Sequence, residues 1–267
     1  MSTSEDTSQP SDDGAAGGGW KKRKTWVAAV LTTAVVVPLV TWGVTSAREW
    51  INDKLNPKQD LSAVVKIPTP AAECHGGRSW VFDKRPPELP LPPKEGDLDG
   101  WAAANGGIPA SGNYIEVTLQ GLNGRNVIVH DISVNIVSRT DPPHGAFAEL
   151  SGGCGGFFPY HFSLNLDANP ISVTAKPDDG VGAQAPSRPV ELPHEISGSE
   201  PEVWRLAAET KTCTCEWTAT LDWTADDGKN GTTEINDKGH PFRVAAADLA
   251  TSYFADRWEG RWEMLPA

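Results

Sequence analysis

Residues 212–224, TCTCEWTATLDWT, leave the backbone little choice. Cys213, Cys215, Trp217, Ala219, Leu221 and Trp223 take the odd positions; Thr212, Thr214, Glu216, Thr218, Thr220, Asp222 and Thr224 take the even ones. A period of two gives an extended strand one dry face and one wet face, whereas a helix would scatter the tryptophans around its circumference. The parity assigns Trp217 and Trp223 to a core. Half-buried strands of this kind belong to antiparallel sheets.

The same period recurs along the chain. Phe158, Tyr160, Phe162, Leu164 and Leu166 alternate with His161, Ser163 and Asn165. Ile115, Val117 and Leu119 alternate with Tyr114, Glu116, Thr118 and Gln120, and Ile171, Val173 and Ala175 make a shorter example. Within 126–138 the parity changes between Val127/Val129 and Ile132/Val134/Ile136, which predicts a β-bulge at His130-Asp131. Weaker strands fall at 61–67, 78–83, 203–209, 232–236 and 241–245. Asp226-Asp227-Gly228-Lys229-Asn230-Gly231 lies between two strand candidates and includes an Asn-Gly step, so the segment reads as a hairpin. Residues 83–112 hold Pro86, Pro87, Pro90, Pro92 and Pro93, so this long connection either packs over a sheet edge or forms a binding surface. Leu249, Tyr253 and Trp258 give 245–259 the spacing of a short amphipathic helix. The fold expected is mainly β, an antiparallel β-sandwich.

What precedes that domain decides its compartment. Residues 26–44, WVAAVLTTAVVVPLVTWGV, are uncharged and begin directly after Lys21-Lys22-Arg23-Lys24. As a helix the run would span about 28 Å, close to a bilayer's hydrocarbon core. Basic residues before the run, against a cancelling Arg48 and Glu49 after it, place the N-terminus in the cytoplasm and the rest outside. A cleaved signal peptide fits less well, because its apolar core is usually about 7–15 residues long. The organisation expected is a disordered cytoplasmic tail (1–24), a transmembrane helix (25–46), a stalk with a first strand (47–73), an extracytoplasmic β-sandwich (74–245) and a short C-terminal helix or tail (246–267).

Residues 1–47 carry four basic and four acidic groups, so the remainder holds 19 of the 23 basic and 31 of the 35 acidic residues. An ectodomain this acidic argues against nucleic acid as a partner. The partners expected are membrane lipid along 25–46 and an envelope protein or glycan.

Cys74, Cys154, Cys213 and Cys215 all fall on the expected outer side, where disulfides persist. Two residues apart on an extended strand, Cys213 and Cys215 would hold their Cβ atoms about 6.5–7 Å apart, against roughly 3.8 Å in a disulfide. The expectation is two long-range bridges joining them to Cys74 and Cys154, in either order, and no Cys213–Cys215 bond. Closing a loop of about 60 residues would contribute about 4 kcal/mol in the chain-entropy model.

Sharper chemistries fit less well. Zinc held by Cys74, His75, Cys213 and Cys215 lacks the usual C-x-x-C spacing. A catalytic thiol at Cys154 needs a positioned base; Ser151-Gly152-Gly153-Cys154 resembles the Ser-His-Gly-Cys signature of cell-wall L,D-transpeptidases but has no His in the motif. Asp226, Gly228, Asn230, Gly231 and Asp237 imitate a calcium loop without its flanking helices. Glu216 and Asp222 share a wet face about 20 Å apart, too far for paired glycosidase carboxylates. Trp101, Trp258 and Trp262 are the tryptophans left free to stack on a sugar. No catalytic residue, metal ligand or cofactor is assigned.

Gly-Gly-Cys-Gly at 152–155, Cys-x-Cys-x-Trp at 213–217, Leu-Asp-Trp at 221–223 and Pro-Phe-Arg at 241–243 together resemble uncharacterised single-pass membrane proteins of actinomycetes with an external C-terminal domain. The resemblance implies an envelope location and no particular activity. The function expected is a membrane-anchored extracytoplasmic binding or structural module. The alternative is a cell-wall-modifying or glycan-hydrolysing enzyme, in which two or more of Glu216, Asp222, His161 and Cys154 would meet in one cleft.

Overall fold

The alternating run of 212–224 becomes a long central strand of the structure, a computed structural model that describes residues 60–68, 78–149, 160–177 and 189–266. The first half of the described chain holds β1 (Leu61–Lys66), β2 (Ser79–Phe82), helix α1 (Leu98–Ala104), β3 (Ile108–Pro109), β4 (Tyr114–Gly121), β5 (Val127–Thr140) and β6 (Ala146–Glu149). Then come β7 (Tyr160–Asn165), β8 (Ser172–Lys176), β9 (His194–Ile196), β10 (Glu202–Glu209) and β11 (Thr214–Ala225). The chain ends in β12 (Asn230–Ile235), β13 (Phe242–Ala245), β14 (Thr251–Asp256) and β15 (Arg261–Met264).

These strands make three sheets, in the orders β1-β4-β10-β7-β8, β12-β11-β5-β9 with β13 also on β11, and β15-β14-β6-β2-β3. The protein is mainly β. Strand β11 is paired along its length by β5 on one side and by β12 and β13 on the other, with Trp217 and Trp223 buried as their parity requires. The inward residues of the first two sheets share one apolar cluster, in which Leu119, Phe162, Trp204 and Leu206 face Val129, Trp217, Leu221 and Trp223. The third sheet has its own, smaller cluster around Trp80, Phe82, Leu89 and Leu98.

The bulge predicted at His130 is present. Asp222 lies opposite Asp131 and Trp223 opposite Val129, so His130 is the extra residue. A second shift skips Val137, which the bulge turns outward to 53% exposure. Two irregularities let one strand serve the core with both parities.

Several expectations need correcting. The sheets are not purely antiparallel: β10 runs parallel to β7, and β14 parallel to β6. Between β8 and β10 the chain lends β9 to the second sheet, and β10 returns in the direction of β7. The hairpin expected over 226–231 is present and joins β11 to β12, but the Asn-Gly step is not its turn. Gly228, at φ 82°, makes that turn, while Gly231 sits inside β12, where an added Cβ would lie 2.2 Å from the Trp223 ring. The segment 245–259 is not a helix, because Tyr253 and Ala255 enter β14 and hydrogen-bond into a sheet beside the small residues of β6. Local helical spacing loses to an open strand edge. The 83–112 connection packs over the third sheet: Arg257 donates to the carbonyls of Pro93 and Lys94, and Trp262 Nε1 to that of Leu89.

The segment 25–46 lies outside the described residues. Among the described residues no helix is long and apolar enough to cross a membrane.

Candidate functional site

Where the three sheets meet, they leave a cleft of about 220 Å³. Sheet one supplies Tyr114 and Ile115 from the start of β4, Ala208 from β10, and Ile67 just after β1. Sheet two supplies Trp217 and the segment Pro241, Phe242, Arg243 and Val244, with Asp237 from the preceding turn. The third contributes Arg78, immediately before β2, and Pro109 of β3.

Trp217 and Phe242 pack with tilted rings, centroids 4.9 Å apart, and line one wall. They meet because β13 pairs with the first residues of β11, placing Phe242 directly opposite Trp217. Tyr114 is braced from behind by Arg205, whose guanidinium carbon lies 4.5 Å from the ring centroid and which also reaches Glu116 at 3.4 Å. Asn113 imitates a strand partner: its amide nitrogen donates to the Ser79 carbonyl at 2.6 Å and its oxygen accepts the Ser79 N–H at 3.3 Å. That clamp ties the entrance of β4 to β2.

Two cations of different character flank these rings. Arg78 is 7% exposed, pairs with Asp99 at 3.0 Å and donates to the Pro68 carbonyl at 2.9 Å. Burial works against its charge and lowers its pKa, with Asp99 and then Tyr114 offsetting part of the effect. The same burial pushes the Asp99 carboxyl up against the pull of Arg78. The Arg78 Nε is buried and has no hydrogen-bond partner. Arg243 sits at the rim, loosely held by Glu216 at 3.7 Å. Chemically the cleft can stack a flat or apolar group and orient it through a few polar contacts.

The residues singled out in the sequence are dispersed. Glu216 accepts from Ser138 at 3.0 Å and faces Arg243, whereas Asp222, further along β11, lies beside His130 and Thr224 on an open surface. His161 is on β7, in the other sheet. Cys74, His75 and Cys154 lie outside the described residues. Trp101 and Trp262 pack in the third-sheet cluster, and Trp258 projects into solvent, 77% exposed. In the calcium-like loop, Asp227 bonds Arg125 and the Lys229 N–H. Among the described residues no group of three or more His, Cys, Asp or Glu is placed to hold a metal.

The cysteine expectation fails at its premise. Cys213 and Cys215 are bonded to each other, with Cα atoms 5.5 Å apart. Strand β11 starts at Thr214, not before Cys213, and Thr210 Oγ1 accepts the N–H of Cys213 at 3.3 Å. That turn pulls the chain short of the extended spacing on which the exclusion rested.

Sequence reasoning missed a second cluster, in which His194 Nε2 meets Glu202 at 2.9 Å, Trp204 Nε1 reaches the same carboxylate at 3.3 Å, and Tyr160 meets the His194 ring edge-on. Burial, and then Glu202, raise the Tyr160 pKa. The cluster fastens the start of β9 to β10. Arg78 also went unnoticed and Tyr114 was read only as a wet-face strand position, since neither belongs to a motif. Comparison with family models, with curated proteins and with solved structures finds no match.

Proposed function

We propose that this chain is a membrane-anchored extracytoplasmic binding module, held at the cell envelope by residues 25–46 with its N-terminus in the cytoplasm. On this reading the first two sheets act as a β-sandwich, the third sheet is a lobe added to it, and the three-sheet cleft takes the ligand. The cleft is the observation that carries the reading. Aromatic and aliphatic walls with a few converging polar side chains are the usual composition of small-molecule sites. Its size suits a single ring or a short chain, such as a sugar residue or a side chain presented by an envelope glycan or protein. Two of the motifs behind the actinomycete resemblance meet here, since Trp217 ends Cys-x-Cys-x-Trp and Phe242 is the centre of Pro-Phe-Arg. The enzymatic alternative needed two or more of Glu216, Asp222, His161 and Cys154 in one cleft; Glu216 and Asp222 stand six residues apart on one face of β11, His161 is on β7 in the other sheet, and Cys154 lies outside the described residues.

The test uses the full-length protein in detergent with small fragments released from the envelope, read by tryptophan fluorescence and thermal shift. Saturable binding is expected in wild type and its loss in Ile67→Trp, which fills the cleft from its rim. Equal responses from both proteins, or none from any fraction, would sink the proposal.

A further inference from the structure

Cys213 and Cys215 are bridged across a single residue, Thr214. Closing so short a loop removes little entropy from the unfolded chain, so the bond contributes little to holding the fold. Its surroundings are more telling. One terminal nitrogen of Arg139 donates to Cys213 Sγ at 3.6 Å and to Cys215 Sγ at 3.5 Å. The other donates to the Leu166 carbonyl at 2.5 Å, which fixes the guanidinium in place. Thr210 Oγ1 lies 3.2 Å from Cys213 Sγ. A disulfide sulfur is a weak acceptor, whereas a thiolate beside a guanidinium accepts a charge-assisted bond. Arg139 therefore stabilises the reduced pair more than the oxidised one, and stabilising the reduced form raises the reduction potential.

We infer that Cys213–Cys215 is an exchangeable disulfide that accepts electrons from an external dithiol. A thiolate of the dithiol attacks Cys213 Sγ, Cys213 being the less buried residue of the two, 4% exposed against 0% for Cys215. The Cys213–Cys215 bond breaks and Cys215 leaves as a thiolate under Arg139. The second thiol of the reductant, once deprotonated, attacks its own partner sulfur in the mixed disulfide and releases Cys213. Two electrons pass to the pair and the dithiol ends as a disulfide; of its two protons one goes to Cys213 and the other to solvent, Cys215 remaining a thiolate.

The experiment equilibrates the full-length protein in detergent with graded ratios of reduced to oxidised dithiothreitol, followed by acid quenching, alkylation and peptide mapping that counts Cys213 and Cys215 apart from the other cysteines. Wild type should reach half-reduction at a ratio about tenfold lower than Arg139→Ala, some 30 mV for a two-electron couple. Arg139→Lys, which keeps the charge but not the fork, should fall between them, and it carries the comparison if the alanine variant does not fold. Coincident midpoints for wild type and the folded variants would overturn the inference. So would a pair that stays closed until the chain is denatured.

Discussion

Asp167 shows how a single side chain can organise a turn. Its carboxylate accepts from Thr210 Oγ1 at 2.8 Å, from Thr212 Oγ1 at 2.7 Å and from the Lys211 N–H at 2.7 Å. Partial burial works against the charge, yet these bonds outweigh it and hold the carboxyl below the usual aspartate range. A carboxyl lowered in the folded state stabilises above its unfolded pKa, near 3.9, and that contribution is lost as pH falls through the lower, folded value. Asp167→Ala should cost about 1 kcal/mol at neutral pH in urea unfolding. The gap from wild type should close as the pH is taken below about 4. A gap independent of pH would mean that the hydrogen bonds do not depend on the charge. Gly231 is the second informative residue. Its hydrogen lets the Trp223 ring lie against the backbone while Trp223 Nε1 donates to Thr233 Oγ1 at 2.9 Å. Gly231→Ala should destabilise by about 1–3 kcal/mol through overpacking, despite the better strand former, and thermal melts with tryptophan fluorescence would show it.

Among the elements, the cysteine-bearing strands carry the clearest consequence. The Cys213–Cys215 loop is worth only about 1.5 kcal/mol on the chain-entropy model, so Cys213→Ser with Cys215→Ser should leave a folded protein whose loss in urea unfolding stays near that figure. With that pair closed, Cys74 and Cys154 have only each other. The described strands nearest to them, β2 and β6, are antiparallel neighbours with Ser79 opposite Glu149, each five residues from its cysteine. Non-reducing peptide mapping is expected to recover Cys74 linked to Cys154. Recovery of either cysteine joined to Cys213 or Cys215 would reject that pairing. Strands β2 and β6 themselves were harder to read, because four-residue elements offer too few positions for a period to stand out.

For the whole molecule, the expected topology is open to direct measurement. A membrane-impermeant maleimide applied to intact cells should label the protein only after reduction. Labelling that needs lysis would place the β domain on the wrong side of the membrane, and strong labelling without reduction would mean free external thiols. Neither result depends on the cleft, whose ligand test stands separately. The three-sheet junction is also where the chain is most non-local: Arg78, Tyr114, Trp217 and Phe242 come from four distant segments and two of the four lie in no recognisable motif.

Alternation along the chain was enough to place β11, β4, β7 and the His130 bulge, because period and parity are local properties of an extended backbone facing one core. It also buried Trp217 and Trp223 correctly. Tertiary structure alone decided the parallel pairings of β7 with β10 and of β6 with β14, since a strand's neighbour is chosen by which edges remain open once the rest has packed. It likewise turned 251–256 into a strand against a helical spacing, and bent the entry to β11 so that Cys213 could meet Cys215. The cleft belongs to the same class: its residues are unremarkable one by one, and only the meeting of three sheets makes them a site.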